Sequence, residues 1–319
     1  MSKNSEGAVR FAEWLGYVSR MVQTVDSARG AALGPAPAPP VPPVVSASET
    51  QGANVLFCAP HPDDECLSAA LGSRLRLEAG ARVTNIAITL GSDPAQRPRR
   101  RRELVSAHQV LGFELLIPTE PGAASADGFE DVHLSGRDSH PEAWAKRVGA
   151  LAEIFDSTEP EAVFAPHEED FNSTHIGTHE LVSEALDAYL ARHPESDVLF
   201  IETEFWHQLA DPNLMVGITP ELAAVQIVAA AEHGGEMTRM PYHLLHPCRL
   251  MDNVRRGSEV VGGQGAAVQP FVFAELYRVS FRRGREVIGP TPGNHILLPS
   301  EKASLDWLRA EFSGQGDSE

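Results

Sequence analysis

The chain is poor in cysteine, in basic residues and in long apolar runs, and each shortage excludes something. Three cysteines, Cys58, Cys66 and Cys248, are too few and too irregularly spaced for a disulfide framework or a CxxC metal site. Cys58 sits in an apolar strand pattern and reads as a packed, reduced thiol. No stretch approaches the ~18–20 apolar residues of a membrane span. The N-terminus lacks the basic start, unbroken apolar segment and small-residue cleavage site of a secretory signal, so a cytoplasmic location is the default expectation. With 26 basic against 44 acidic residues the formal net charge is −18, which argues against nucleic acid or an anionic membrane as a partner. Nothing repeats at a fixed period.

What is present suits one sizeable α/β domain with an appendage: 319 residues, 42% hydrophobic and 22% charged. Apolar residues at Phe11, Trp14, Leu15, Val18, Met21 and Val22 have helical spacing, which predicts an amphipathic helix docked on the body or on another subunit. The proline-rich stretch from Gly30 to Gly52 reads as an extended linker. Residues 1–52 thus form a helix and linker, 53–312 a single domain and 313–319 a frayed tail. Within the domain, apolar strand patterns such as NVLFCAP, VTNIAITL, AVFAP and VLFIETEFW alternate with helical segments ending at Gly80 and Gly112. A helix with Ser173 or Thr174 near its N-cap follows AVFAP. The pattern predicts a largely parallel, Rossmann-like sheet with helices on both faces.

The chemistry-bearing residues gather after two strands. In VLFCAPHPDDECL, His61 and Asp64 are close enough to converge on one divalent cation in the bend between strand and helix, where open α/β sheets bind ligands. A third ligand must come from elsewhere, and FAPHEEDFNSTHIGTHELV offers His167, Asp170, Asn172, His175 and His179. Acidic residues opening a helix also stabilise its dipole, which would account for Asp63 to Glu65 but not for His61 or the second cluster. His108, His140 and His193 stand alone and read as hydrogen-bonded or solvated.

The stretches APHPDDE and DFNSTH resemble the LmbE-like or PIG-L superfamily of zinc-dependent N-acetylglucosaminyl deacetylases, over about residues 54–182. The resemblance implies His61, Asp64 and His175 as metal ligands, with Zn2+ expected and Fe2+ as the alternative. It implies Asp63 as the general base toward a metal-bound water and an oxyanion-stabilising role at Asn172, where many members carry a histidine. ITLGSD and the arginine-rich helix after it put Gly91 and Arg100 on the substrate side, together with His233. Asp170 is expected there too, either orienting His175 or as a helix N-terminal carboxylate. Here the family's H-x-S-Q element reads His233, Gly234, Gly235, Glu236. If Asn172 cannot serve, His167, His179 or His233 would take over its step.

The implied substrate is a small N-acyl sugar conjugate whose N-acetyl group is hydrolysed. Two alternatives stay open: a deacylase of a longer N-acyl chain or a non-sugar amide, and an inactive binding module of the same fold. Pocket walls are expected from Gly91 to Arg99, from Pro118 to His140 and from a glycine-rich loop after Arg255, with Asn253, Arg255 and Arg256 either facing an anionic conjugate or on the surface. The tethered N-terminal helix could reach a neighbouring subunit in a homo-oligomer.

Overall fold

Alternating apolar strands and helices build a mixed sheet covered on both faces. The computed structural model describes residues 3–35, 52–284, 286–289 and 295–312. In chain order the elements are α1 (Lys3–Ala28), β1 (Asn54–Ala59), α2 (Asp64–Leu67), α3 (Ala70–Ala79), β2 (Arg82–Ala87), α4 (Arg97–Leu111), β3 (Glu114–Leu116), α5 (Gly136–Ser139), α6 (Pro141–Thr158), β4 (Ala162–Pro166), α7 (Ser173–Arg192), β5 (Asp197–Thr203), β6 (Leu214–Ile218), α8 (Pro220–Glu232), α9 (Gly234–Arg239), α10 (Tyr242–Val260), β7 (Phe273–Arg283), β8 (Glu286–Ile288), β9 (His295–Leu297) and α11 (Leu305–Phe312). Helices α3 and α4 stop at Gly80 and Gly112, as the sequence predicts.

The sheet order is β3-β2-β1-β4-β5-β7-β6-β9, with β8 paired to β7. Strands β3 to β5 along this path are parallel. The chain winds outward from β1 through β2 to β3, then returns to lay β4 on the other side of β1. Between the carboxyl ends of β1 and β4 lies the crevice where ligands bind in such sheets. The expected largely parallel sheet is therefore observed, with one departure: β7 is antiparallel to both β5 and β6 and separates them.

The period-2 alternation of the strands divides the core. Val55, Phe57, Ala162, Phe164, Leu199 and Ile201 pack on one face. Leu56, Cys58, Val163, Ala165, Val198 and Phe200 pack with residues of α6 and α7 on the other. Because both faces are covered, each strand reads as a continuous apolar run. A fully buried Leu, Val, Ile or Phe here contributes about 1.5–3 kcal/mol through removal from water.

Three expectations change outside the sheet. Helix α1 is longer than predicted, and Leu15, Val18 and Val22 are more than half exposed, so at these residues the helix is not packed on the body of the chain. Attachment comes through the segment after it, where the Gly34 N–H donates to the Ala231 carbonyl at 2.8 Å. The stretch from Arg255 to Val260, expected as a loop, is the last part of α10. The side chains of residues 1–14, most of the proline-rich stretch (36–51) and the tail (313–319) lie outside the described residues. No helix among the described residues is long and apolar enough to cross a membrane.

Candidate metal centre

Three side chains converge in the crevice. After β1 the chain turns through Pro60 and His61 into the four-residue α2, and the Asp64 carboxylate folds back onto this turn. Its Oδ2 accepts the His61 backbone N–H at 2.9 Å and lies 3.2 Å from the same residue's Nδ1. From the first turn of α7, His175 brings Nε2 to 3.2 Å from that oxygen. The potential ligand atoms of His61, Asp64 and His175 all lie within 4.8 Å of one another.

The second turn is as tightly specified as the first. Asn172 is the N-cap of α7, its Oδ1 accepting the Thr174 N–H at 2.9 Å, one residue earlier than the sequence suggests. Asp170 Oδ1 accepts the Asn172 N–H at 2.8 Å and lies 3.6 Å from His175 Nδ1. Its Oδ2 accepts the Trp206 N–H at 3.2 Å. One buried carboxylate thus joins the capping turn, the imidazole and the loop after β5.

The electrostatics fit a cation. Burial would raise the Asp64 carboxyl, but the imidazoles of His175 and His61 hold it below the usual carboxylate range. Burial alone would lower His175, yet Asp64 and Asp170 bring it to about 9. His175 is fully buried, and neither ring nitrogen has a hydrogen-bond partner. A buried imidazole without such a bond is costly unless a proton or a metal satisfies it. Two imidazoles and one carboxylate with an open side suit Zn2+ and Fe2+ alike.

Asp63 stands beside this trio in a strained backbone, with φ 116°. Such a conformation costs an L-residue about 1–3 kcal/mol and persists only where surrounding bonds impose it. Here Glu65 Oε2 accepts the Asp63 N–H at 2.9 Å, and Glu65 Oε1 is 2.8 Å from Nε2 of the fully buried His233. The Asp63 carboxyl is raised well above its ordinary range by burial and by Asp64, Glu65 and Glu236, with Arg100 opposing.

Two cavities meet at His61, Arg100 and Glu236. The first, of about 300 Å3, is lined by Asp63, Asp64 and Asn172 and by a largely aromatic wall that includes Phe205, Trp206 and Tyr242. The second, of about 490 Å3, is more polar and takes in Gly91, Arg97, Glu130 and His133. At Gly91, φ is +89° and an added Cβ would lie 2.3 Å from Arg100 Nη1, so the guanidinium needs the missing side chain to lie where it does. Arg100 Nη2 pairs with Glu236 at 2.6 Å. Glu236 is therefore an anchor for that arginine.

His61, Asp63, Asp64, Asn172, Gly91 and Arg100 line the cavities, with His175 directly behind His61 and Asp64. His233 does not line either cavity; it is buried behind Glu65, whose other carboxylate oxygen accepts the Asp63 N–H. Asp170 likewise lies behind His175 and off the cavity surface. His167 is 2.9 Å from the His207 carbonyl through Nε2, and His179 is 2.9 Å from the Pro166 carbonyl through Nδ1. Neither lines a cavity, so neither is placed to replace Asn172.

The glycine-rich loop forms no wall of either cavity. Asn253 Nδ2 donates to the Ala274 carbonyl at 3.1 Å, Arg256 is buried against Glu204, and Arg255 pairs with Asp252 at 2.8 Å. The wall that sequence reasoning missed is the first half of α10: Tyr242, Leu245, His246 and Arg249. Their i, i+3, i+4, i+7 spacing is the helical signal that could have found it. Pro247, inside the helix, obscures it, because proline removes one main-chain hydrogen bond and ordinarily ends a helix.

Residues 56–186 match the PIG-L family, described as GlcNAc-PI de-N-acetylase, a span that includes both metal-side turns. No curated protein matches the chain by sequence. Among solved structures, the N,N'-diacetylchitobiose deacetylase of Pyrococcus horikoshii is 16% identical, with 76% of this chain and 87% of that one covered at a TM-score of 0.52. GalB, the 4-carboxy-2-hydroxymuconate hydratase of Pseudomonas putida KT2440, is 18% identical, with 71% and 95% covered and a TM-score of 0.51. A conserved protein of Thermus thermophilus is 18% identical, with 76% and 96% covered and a TM-score of 0.50. At these identities the likeness concerns the fold, which a deacetylase and a hydratase share, so the reaction has to be argued from the site.

Proposed function

We propose, for a chain whose residues 56–186 match the PIG-L family, a metal-dependent amide hydrolysis that removes the N-acetyl group from an N-acetylglucosamine-type conjugate. The observation that carries this reading is the meeting of His61, Asp64 and His175 beside a cavity that Asp63 also lines. Those three residues would hold Zn2+ or Fe2+. A divalent cation there supplies Lewis acidity, polarising an amide carbonyl and acidifying water.

The chain's own groups account for the proton traffic. Asp63, its proton affinity raised by burial and neighbouring carboxylates, takes a proton from the attacking water and returns it to the departing amine. Glu65 and His233 hold its backbone in position. Asn172 uses its amide oxygen to cap α7, which leaves its NH2 to donate to the oxyanion. Arg100, anchored by Glu236 at the junction of the two cavities, contacts the sugar or its substituent.

A second reading keeps the same chemistry and changes the acyl group. Leu67, Phe205, Trp206 and Leu245 make part of the first cavity apolar, which favours an acyl chain longer than acetyl. Elemental analysis of the purified protein, combined with amine release from N-acetylglucosamine conjugates before and after chelation, tests both. About one metal per chain with chelator-sensitive release supports the deacetylase. Release only from longer N-acyl sugars selects the second reading. Stoichiometric metal without release from any N-acyl substrate overturns amide hydrolysis.

A further inference from the structure

Three arginines line the first cavity, and they are not equivalent. Arg100 and Arg239 both pair with Glu236, at 2.6 and 3.1 Å, so their charge is compensated within the protein. Arg249 forms no ion pair among the described residues; its Nη2 donates only to the Glu204 backbone carbonyl, and the Glu204 carboxylate is already taken by Arg256. A half-buried guanidinium with four further N–H donors and no ion pair keeps donors available to a bound anion.

One turn earlier on the same face of α10, His246 is only 3% exposed and also lines the cavity, yet its Nε2 has no hydrogen-bond partner. Burial, reinforced by Arg249, pushes this imidazole down to about 3, so it is neutral near pH 7 and offers a hydrogen bond without a charge. On the same wall Tyr242 stands edge-on to Trp206, ring centroids 5.8 Å apart, a surface suited to the face of a ring. Two adjacent polar groups, a guanidinium without an ion pair and a neutral imidazole with an unbonded Nε2, thus line the cavity that His61 and Asp64 also line.

We infer that the substrate carries, besides its N-acyl group, an anionic group, a carboxylate or phosphate, bound by Arg249 and His246. Guanidinium presents paired donors that match either oxyanion, and the neutral imidazole adds a third contact. This inference rests on the amide-hydrolase reading for the N-acyl part, whereas the anion site itself does not depend on hydrolysis. The net charge of −18 makes a local cation more selective, since the rest of the surface does not gather anions.

The test compares two matched pairs of probes. N-acetylglucosamine 1-phosphate against methyl N-acetylglucosaminide places the anion on the sugar side, and N-succinylglucosamine against N-butyrylglucosamine places it on the acyl side. In one pair the anionic member is expected to have a kcat/KM about 10–100-fold above its neutral partner, mainly through KM. Arg249→Gln is expected to remove that preference, Arg249→Lys to retain part of it, and His246→Gln to reduce it several-fold. Equal rates within both pairs, or a preference that survives in Arg249→Gln, would overturn the inference. Calorimetric binding of the two anionic probes to the Asp63→Asn protein separates the two proposals. Binding that is lost in the Asp63→Asn, Arg249→Gln double variant, with no hydrolysis by the unmodified protein, sustains the anion site and removes the hydrolase. Hydrolysis without anion preference does the reverse.

Discussion

Asp64 and Arg249 line the same cavity from opposite halves of the sheet, and they are constrained in different ways. Asp64 has three contacts within 3.2 Å from its own turn and from His175, all made where β1 and β4 hand over to helices. Arg249 has one main-chain acceptor and no ion pair among the described residues, and it lies on a helix packed against the antiparallel β7. The parallel half holds its candidate reacting groups through several contacts each, as chemistry that depends on orientation requires. The half around β7 leaves the Arg249 guanidinium without an ion pair among the described residues, as recognition of a variable partner allows. Substitutions in the first half should therefore abolish turnover for every substrate, and those in the second should redistribute activity among substrates.

The largest effect is expected from His175→Ala. Elemental analysis should find the metal lost and hydrolysis reduced to the level of the chelated protein for all substrates. A variant that keeps stoichiometric metal would mean that His175 is not a ligand. Next comes Asp63→Asn, which should retain the metal while kcat falls about 10²–10⁴-fold, the usual range for a general base. Retained kcat would transfer the base role to another group. Asp170→Asn keeps the cap geometry but withdraws a charge from behind His175, and metal affinity measured by competition with a chelator should weaken about 10–100-fold.

Glu236→Gln probes the junction between the halves. Without the carboxylate, Arg100, Arg99 and Arg239 lose a shared partner, and Arg100 is free to leave its place over Gly91. A rise in KM of about tenfold with little change in kcat is expected, and a loss confined to kcat would instead put Glu236 among the reacting groups.

The same division explains what could be read from the sequence. The turns that carry the candidate metal ligands are local: His61 and Asp64 are three residues apart, Asp170, Asn172 and His175 lie within six, and each set follows a strand whose apolar run marks it. Such proximity survives in one dimension. His233 was legible as a residue near the site, but only the fold reveals that it contacts Glu65, because 168 residues separate them. The wall on α10 was obscured for a different reason. Pro247 suggests a break where the helix continues, and β7 returns antiparallel from a place no alternating pattern announces. Long-range pairing, not local preference, decides which face of that helix meets the cavity.

The smallest effect expected is thermodynamic and belongs to the second half alone. His246 has a folded-state pKa of about 3, against about 6.5 in an unfolded chain. Between these values the unfolded chain binds a proton that the folded protein does not, so the neutral imidazole favours folding fully above pH 6.5 and progressively less as the pH falls toward 3. Each pH unit in that window costs about 1.4 kcal/mol, and a drop from pH 7 to pH 5 about 2 kcal/mol, from this group. His246→Leu removes the proton site while filling a similar volume, so urea melts at pH 7 and pH 5 should show a stability loss smaller than that of the unmodified protein by about that amount. His108 and His243, also held low by burial, titrate in both proteins and cancel in the comparison. Identical losses would place the His246 ring in contact with water, and a ring already hydrated would no longer be an unsatisfied partner for an anion beside Arg249.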